Sequence, residues 1–168
     1  MNIDPFLLWL ESTALSQWVT GSPSLFAFPG ILALHAIGMG FAVGICLALD
    51  LRILGVAPGI QLAQMRRFVP ILWSAFWLNA ISGLLLLIGY PTKALTNPVF
   101  YLKLLLIAVG LVLFVRIGRR VFGDNSTPDA ETSPALRRLA IISLVCWVGA
   151  ITAGRFLAYT YNRLTALD

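Results

Sequence analysis

Charge is what this chain lacks most. Only 11% of its 168 residues are charged, against 59% hydrophobic, and its mean hydropathy is +0.88. A soluble domain carries about 25% charged residues. This surface is too poor in charge to face water, so lipid must solvate much of it. The length allows one domain. Roughly 20 apolar residues cross a bilayer, so four spans and short loops nearly use up the chain.

Other scarcities narrow the field further. Cysteine occurs only as Cys46 and Cys146, both inside apolar runs and without a Cys-x-x-Cys spacing, so neither a zinc ribbon nor a redox pair is indicated. The sequence has no Gly-x-Ser-x-Gly, no His-Glu-x-x-His and no phosphate-binding Gly-rich loop. The acidic residues are few: Asp4, Glu11, Asp50, Asp124, Asp129, Glu131 and Asp168. None lies mid-span, which argues against a proton relay built on intramembrane carboxylates. Asp50 is expected to pair with Arg52, Arg66 or a neighbouring arginine. Met1-Asn2-Ile3-Asp4-Pro5 has no basic region ahead of an apolar stretch, so a cleaved signal peptide is not expected. The net charge of +5 does not indicate nucleic acid, because the basic residues sit at the ends of apolar runs and form no basic face.

What is present reads as an all-α integral membrane four-helix bundle with an N-terminal interfacial amphipathic helix, forming one membrane domain over residues 1–168. Residues 5–18 are too short and polar to span. Phe6, Trp9, Leu10, Leu15 and Trp18 could share one helical face, with Glu11, Ser12 and Ser16 elsewhere, as in a helix lying in the membrane interface. Spans are expected at about 29–49, 69–90, 98–117 and 139–160. Pro29 suits a first helical turn, and Asn97-Pro98 reads as a cap followed by the first residue of the third helix. Ser133-Pro134 is a similar pair. Gly40-x-x-x-Gly44 would let another helix approach closely. Residues 123–134 form the one clearly polar loop.

Arg52, Arg66, Arg67, Arg116, Arg119, Arg120, Arg137 and Arg138 fall on one side of the membrane. Lys93, Lys103, Arg155 and Arg163 fall on the other. The positive-inside rule puts the first, larger group in the cytoplasm and both termini outside, on the periplasmic face of a bacterial inner membrane.

Three ionisable residues lie within spans, where each costs free energy and marks a candidate site. His35 lies roughly 9 Å beyond Pro29 along a helix, Lys103 roughly 7 to 8 Å beyond Pro98, and Arg155 roughly 9 Å before Tyr161. All three depths are measured from the outer face. His35 is the only histidine, on a stripe with Met39, Ala42 and Cys46. A neutral imidazole ligates haem iron, copper or zinc. His35 is therefore either an axial haem or metal ligand, or a histidine hydrogen-bonded to a neighbouring helix. Lys103 and Arg155 either snorkel to the interface or pair with an anion, such as haem propionates, a lipid headgroup or an acidic substrate. Asn79 and Ser82 can hydrogen-bond across the bundle. Met39 cannot oppose His35 across a haem, because both project from one face of one helix. The iron would be five-coordinate, take a ligand from another helix, or bridge two subunits.

Trp9-Leu10-Glu11, His35 with Gly38, Asp50-Leu51-Arg52 with Leu54-Gly55, and Asn97-Pro98-x-Phe100-x-x-Lys103 resemble a family of small bacterial polytopic membrane proteins. That resemblance implies the fold and no activity. A more distant pattern covers residues 31–160. It comprises His35, Arg66-Arg67, Gly83, Lys103 within Tyr101-Leu102-Lys103-Leu104-Leu105, the basic residues Arg116, Arg119 and Arg120, and Leu136-Arg137-Arg138. It resembles the HemJ-type protoporphyrinogen oxidases and the CopD-type copper-resistance domains. The HemJ-type resemblance implies haem b at His35 and a functional Lys103. The chain departs from that family after Leu136-Arg137, where Arg138-Leu139-Ala140-Ile141 replaces an Asn-Glu-x-Pro stretch. The CopD-type resemblance implies copper or small-solute transport, although soft thioether ligands are limited to Met1, Met39 and Met65. A third reading is a structural subunit whose partner is another membrane protein or a second copy. Gly40-x-x-x-Gly44 and the run Gly149 to Gly154 would then be docking faces.

Overall fold

The computed structural model describes residues 5–123 and 133–164, with the backbone alone for 158 and 161–164. Most of the polar loop, including Asp124, Asp129 and Glu131, lies outside the described residues, as do Asp4, Asp168 and the Arg163 side chain.

Every regular element among the described residues is helical. In chain order they are α1 (Pro5–Glu11), α2 (Ala14–Gly21), α3 (Phe28–Ile53), a 3-10 helix (Leu62–Phe68), α4 (Val69–Gly89), α5 (Pro91–Leu95), α6 (Pro98–Val121) and α7 (Pro134–Leu164). Four of these segments are long and apolar enough to cross a membrane: α3, the 3-10 helix continued by α4, α6, and α7. Large apolar side chains such as Leu34, Phe41, Trp77, Leu84, Leu105 and Val145 are exposed on their outer faces. A surface of that kind needs lipid against it. The chain is a multi-pass helical membrane protein.

The helices alternate in direction. α3 packs along α4, α6 along α7, and α3 against α7, while no comparable packing joins α4 to α6. Three seams of the bundle are thus closed by helix contact and the fourth is not. The buried core runs through Cys46, Leu49, Leu72, Phe114, Ile117, Leu136, Ala140 and Trp147.

Local chemistry sets the element ends. Asn97 caps α6, its side chain accepting from Val99 N–H at 3.0 Å, and Pro98 follows in the first turn. The same Asn97 donates from Nδ2 to Thr160 Oγ1 at 2.8 Å, tying the start of α6 to the end of α7. α3 continues past Leu49 to Ile53 and closes at Gly55, whose φ of +99° only glycine adopts without strain. Arg52 stays in this turn, donating from Nη2 to Pro58 O at 3.2 Å and from Nε to Ile60 O.

The N-terminal segment is two helices, where the pattern over 5–18 suggests one. The break falls at Ser12-Thr13, because Thr13 caps α2 by accepting from Ser16 N–H at 3.3 Å. The facing is as the pattern suggests. Ser16 and Val19 are buried against the end of α4, with Ser16 Oγ donating to Gly89 O at 3.4 Å. Leu15, Trp18, Phe6 and Trp9 point outward. Glu11 accepts from Thr92 N–H at 3.4 Å, which fastens α1 to α5.

Helix approach is closest at Gly38. A Cβ there would meet Ala75 O and Asn79 N at 2.8 Å each, whereas one at Gly40 or Gly44 would meet nothing within 4 Å. Gly40 and Gly44 are exposed, so no helix of this chain uses them. Gly149 and Gly154 do have an internal neighbour, Leu106 and Lys103 of α6 respectively.

Candidate functional site

The polar centre between α3 and α4 is built on one imidazole. His35, half-buried, places Nδ1 3.0 Å from Asn79 O, 3.3 Å from Ser82 Oγ and 3.2 Å from Asn79 Nδ2. A backbone carbonyl can only accept, so the shortest contact requires the proton on Nδ1. The other bonds agree with that tautomer. Ser82 donates its own hydrogen to Leu78 O at 2.7 Å and is left to accept. Asn79 Nδ2 donates to His35 O at 2.7 Å, so it does not need the ring nitrogen. In the neutral ring this leaves the lone pair on Nε2.

Gly83 completes the seat. A Cβ at that position would come within 2.9 Å of His35 Cε1 and 3.3 Å of Nδ1. Real Cβ atoms do not approach so closely, so the ring lies where it does because residue 83 has no side chain. His35, Asn79, Ser82 and Gly83 form one interlocked unit: α3 supplies the ring and α4 supplies the carbonyl, hydroxyl and space.

Lys103 joins this unit from α6. Its charge is within electrostatic reach of the imidazole, and its side chain lies along Gly154 of α7, with Nζ 3.8 Å from where a Cβ would stand. Among the described residues Lys103 has no hydrogen bond or ion pair. Arg155 follows Gly154 but is exposed, on the outer side of α7. All three cationic or potentially cationic groups thus lie toward the bundle end that carries α1, α2 and α5. His35 and Lys103 are brought together there, and Arg155 faces away from them.

Asp50 lies toward the opposite end and is not paired with arginine as expected. It is 1% exposed and faces Ser143 of α7 and Cys46 of its own helix. Arg52, the nearest arginine in sequence, is held by the loop carbonyls instead. Asp50 Oδ2 and Trp147 Nε1 are buried without a hydrogen-bond partner among the described residues, while the Ser143 hydroxyl faces the Asp50 carboxyl without well-formed hydrogen-bond geometry. Sequence pattern gave no warning of this second polar layer, because Ser143 and Trp147 are ordinary residues of an apolar span.

Among the described residues no three of His, Cys, Asp and Glu gather as a metal-binding group. A protein-built tetrahedral site, which draws on several such ligands, is not formed by them. The imidazole of α3 is hydrogen-bonded to the neighbouring helix α4, and the same kind of bond orients histidines that ligate metals.

The fold and this centre define the class: a small multi-pass helical membrane protein with one orientationally fixed histidine between two spans. No family model, curated protein or solved structure matches the chain.

Proposed function

We propose that the protein is a haem-b-binding redox protein of the bacterial inner membrane, in which His35 would ligate the iron. The observation that carries this reading is the 3.0 Å contact between His35 Nδ1 and Asn79 O. Asn79 O fixes the Nδ1 proton and ring plane, so Nε2 is presented as a neutral, preorganised ligand at no further orientational cost. Gly83 suits it too, since any larger residue would displace the ring. Lys103 supplies an unpaired cation beside the imidazole, suited to a propionate. Arg155 at a similar depth offers a second cation on the outer side of α7. Bound haem would supply one-electron chemistry, and the chain's own part is to ligate it, orient it and neutralise its carboxylates. The resemblance to the HemJ-type pattern through His35, Gly83 and Lys103 points the same way.

The arginines at the Asp50 end favour a cytoplasmic location for that end, which puts His35 and both termini on the periplasmic side. The exposed aromatic face of Phe6, Trp9 and Trp18 suits helices lying in that outer interface.

The test is the absorbance spectrum of protein purified after expression with ample haem. A Soret band is expected, lost in His35→Ala. It is shifted or weakened in Gly83→Ala, which pushes on the ring without removing the ligand. Colourless wild-type protein, or a band indifferent to His35→Ala, overturns the reading.

A further inference from the structure

The open fourth seam of the bundle contains a groove of about 610 Å³ between the start of α4 and the end of α6. That size lies within the roughly 300–1,000 Å³ of sites that take small organic ligands. Its walls are Val69, Pro70 and Trp73 on one side and Phe114, Val115 and Phe122 on the other. Arg66 and Arg119 also line it, each from a different helix. Both arginines are exposed, and among the described residues neither has a hydrogen bond or an ion pair. The groove therefore combines an apolar wall at the depth of a membrane span with two unneutralised guanidinium groups at the helix ends.

We propose that this seam is a binding site for one anionic phospholipid, its phosphate held between Arg66 and Arg119 and an acyl chain lying against Trp73 and Phe114. Charge selects the occupant. Guanidinium groups bind phosphate oxygens through paired, charge-assisted hydrogen bonds. A zwitterionic lipid brings its own cation to the same place, whereas an anionic one leaves the phosphate charge to the protein. Basic clefts between spans on the side richer in arginine are the expected place for such lipids. The apolar walls fit a chain as well as a headgroup, so a free phosphate would use only half of the site. Nothing in this inference depends on His35 or on haem.

Gly118 supplies the control for shape. It lines the groove, and a Cβ there would meet only the Phe122 ring, at an ordinary 3.6 Å. Gly118→Leu can therefore fill the groove without moving backbone and with both arginines intact. Arg137 and Arg138 supply the control for general charge, being exposed at the same end but outside the groove.

The experiment is native mass spectrometry of the full chain released from vesicles of phosphatidylglycerol mixed with phosphatidylcholine. Wild type is expected to retain phosphatidylglycerol selectively. Arg66→Ala/Arg119→Ala should lower retention about tenfold or more, the scale of a lost charge-assisted bond, and Gly118→Leu should lower it by occupying the space of the chain. Arg137→Ala/Arg138→Ala should retain it as wild type does. Thermal unfolding of each variant establishes that it is folded. Any of these results overturns the proposal: equal retention of phosphatidylcholine, no loss in Arg66→Ala/Arg119→Ala, equal loss in the Arg137/Arg138 variant, no loss in Gly118→Leu, displacement of the lipid by inorganic phosphate alone, or a lipid-free wild type that dimerises through the groove.

Discussion

The backbone of Asn79 lies directly against Gly38, so closely that a single methyl group at residue 38 would stand 2.8 Å from Asn79 N and 3.1 Å from its Cα. Both neighbours are main-chain atoms of a helix and cannot swing aside. Asn79 is also the residue whose carbonyl holds His35, so the contact that joins α3 to α4 and the one that orients the ring occur within one turn.

Gly38→Ala is therefore expected to destabilise the protein by about 1–3 kcal/mol, the usual cost of overpacking. Gly40→Ala makes the opposite case. Its Cβ meets nothing within 4 Å, and alanine favours a helix by about 0.5–1 kcal/mol over glycine. Thermal unfolding in detergent should give midpoints on opposite sides of wild type. Equal midpoints for the two variants would mean that α3 and α4 are not in backbone contact at Gly38.

Depth along the membrane was legible in the sequence, and direction around each helix was not. Pro29, Asn97-Pro98 and the apolar runs place the four long helices, because these signals are local. The shared depth of His35, Lys103 and Arg155 follows from counting residues. Yet Lys103 turns inward along Gly154 of α7 while Arg155 turns outward, and a helix of 3.6 residues per turn makes that choice residue by residue. Nothing in a chain of exposed and buried apolar residues gives the angle, since lipid and core are alike in polarity. For the same reason α3 runs on through Asp50, which looks like a span terminator but packs inside against α7. The Ser12-Thr13 break was hidden differently: a hydroxyl cap within a short polar stretch is no stronger a signal than the helix it interrupts.

A second close approach joins α6 to α7. Trp147, buried, lays its ring over Gly110, where a Cβ would meet Cε2 at 2.9 Å and Cζ2 at 3.0 Å. The neighbour here is a side chain, so the collision can be relieved by shrinking it. Gly110→Ala alone should cost about 1–3 kcal/mol. In a Trp147→Phe background the smaller ring leaves room, and the added cost of Gly110→Ala should fall by at least half. A double-mutant cycle on unfolding free energy measures this coupling, which for residues in contact is about 0.5–3 kcal/mol. Strictly additive values would show that the indole does not rest on Gly110.

Asp50 gives the sharpest contrast with an ion-pair account of this end of the bundle. Breaking a buried salt bridge leaves an uncompensated charge and costs about 3–5 kcal/mol. No such partner surrounds Asp50 among the described residues. Its neighbour Ser143 is a neutral hydroxyl, Arg52 is committed to the Pro58 and Ile60 carbonyls, and Oδ2 has no hydrogen bond. Asp50→Asn keeps the shape, adds donors beside Ser143 Oγ and removes the need to bury a carboxylate. Its unfolding midpoint is expected at or above that of wild type. Ser143→Ala removes the hydroxyl that faces the Asp50 carboxyl, so it should cost about 0.5–1.5 kcal/mol, the usual net worth of one hydrogen bond. A fall in Asp50→Asn as large as that of a broken buried pair would mean that a cation, from this chain or another, neutralises Asp50 in the folded protein.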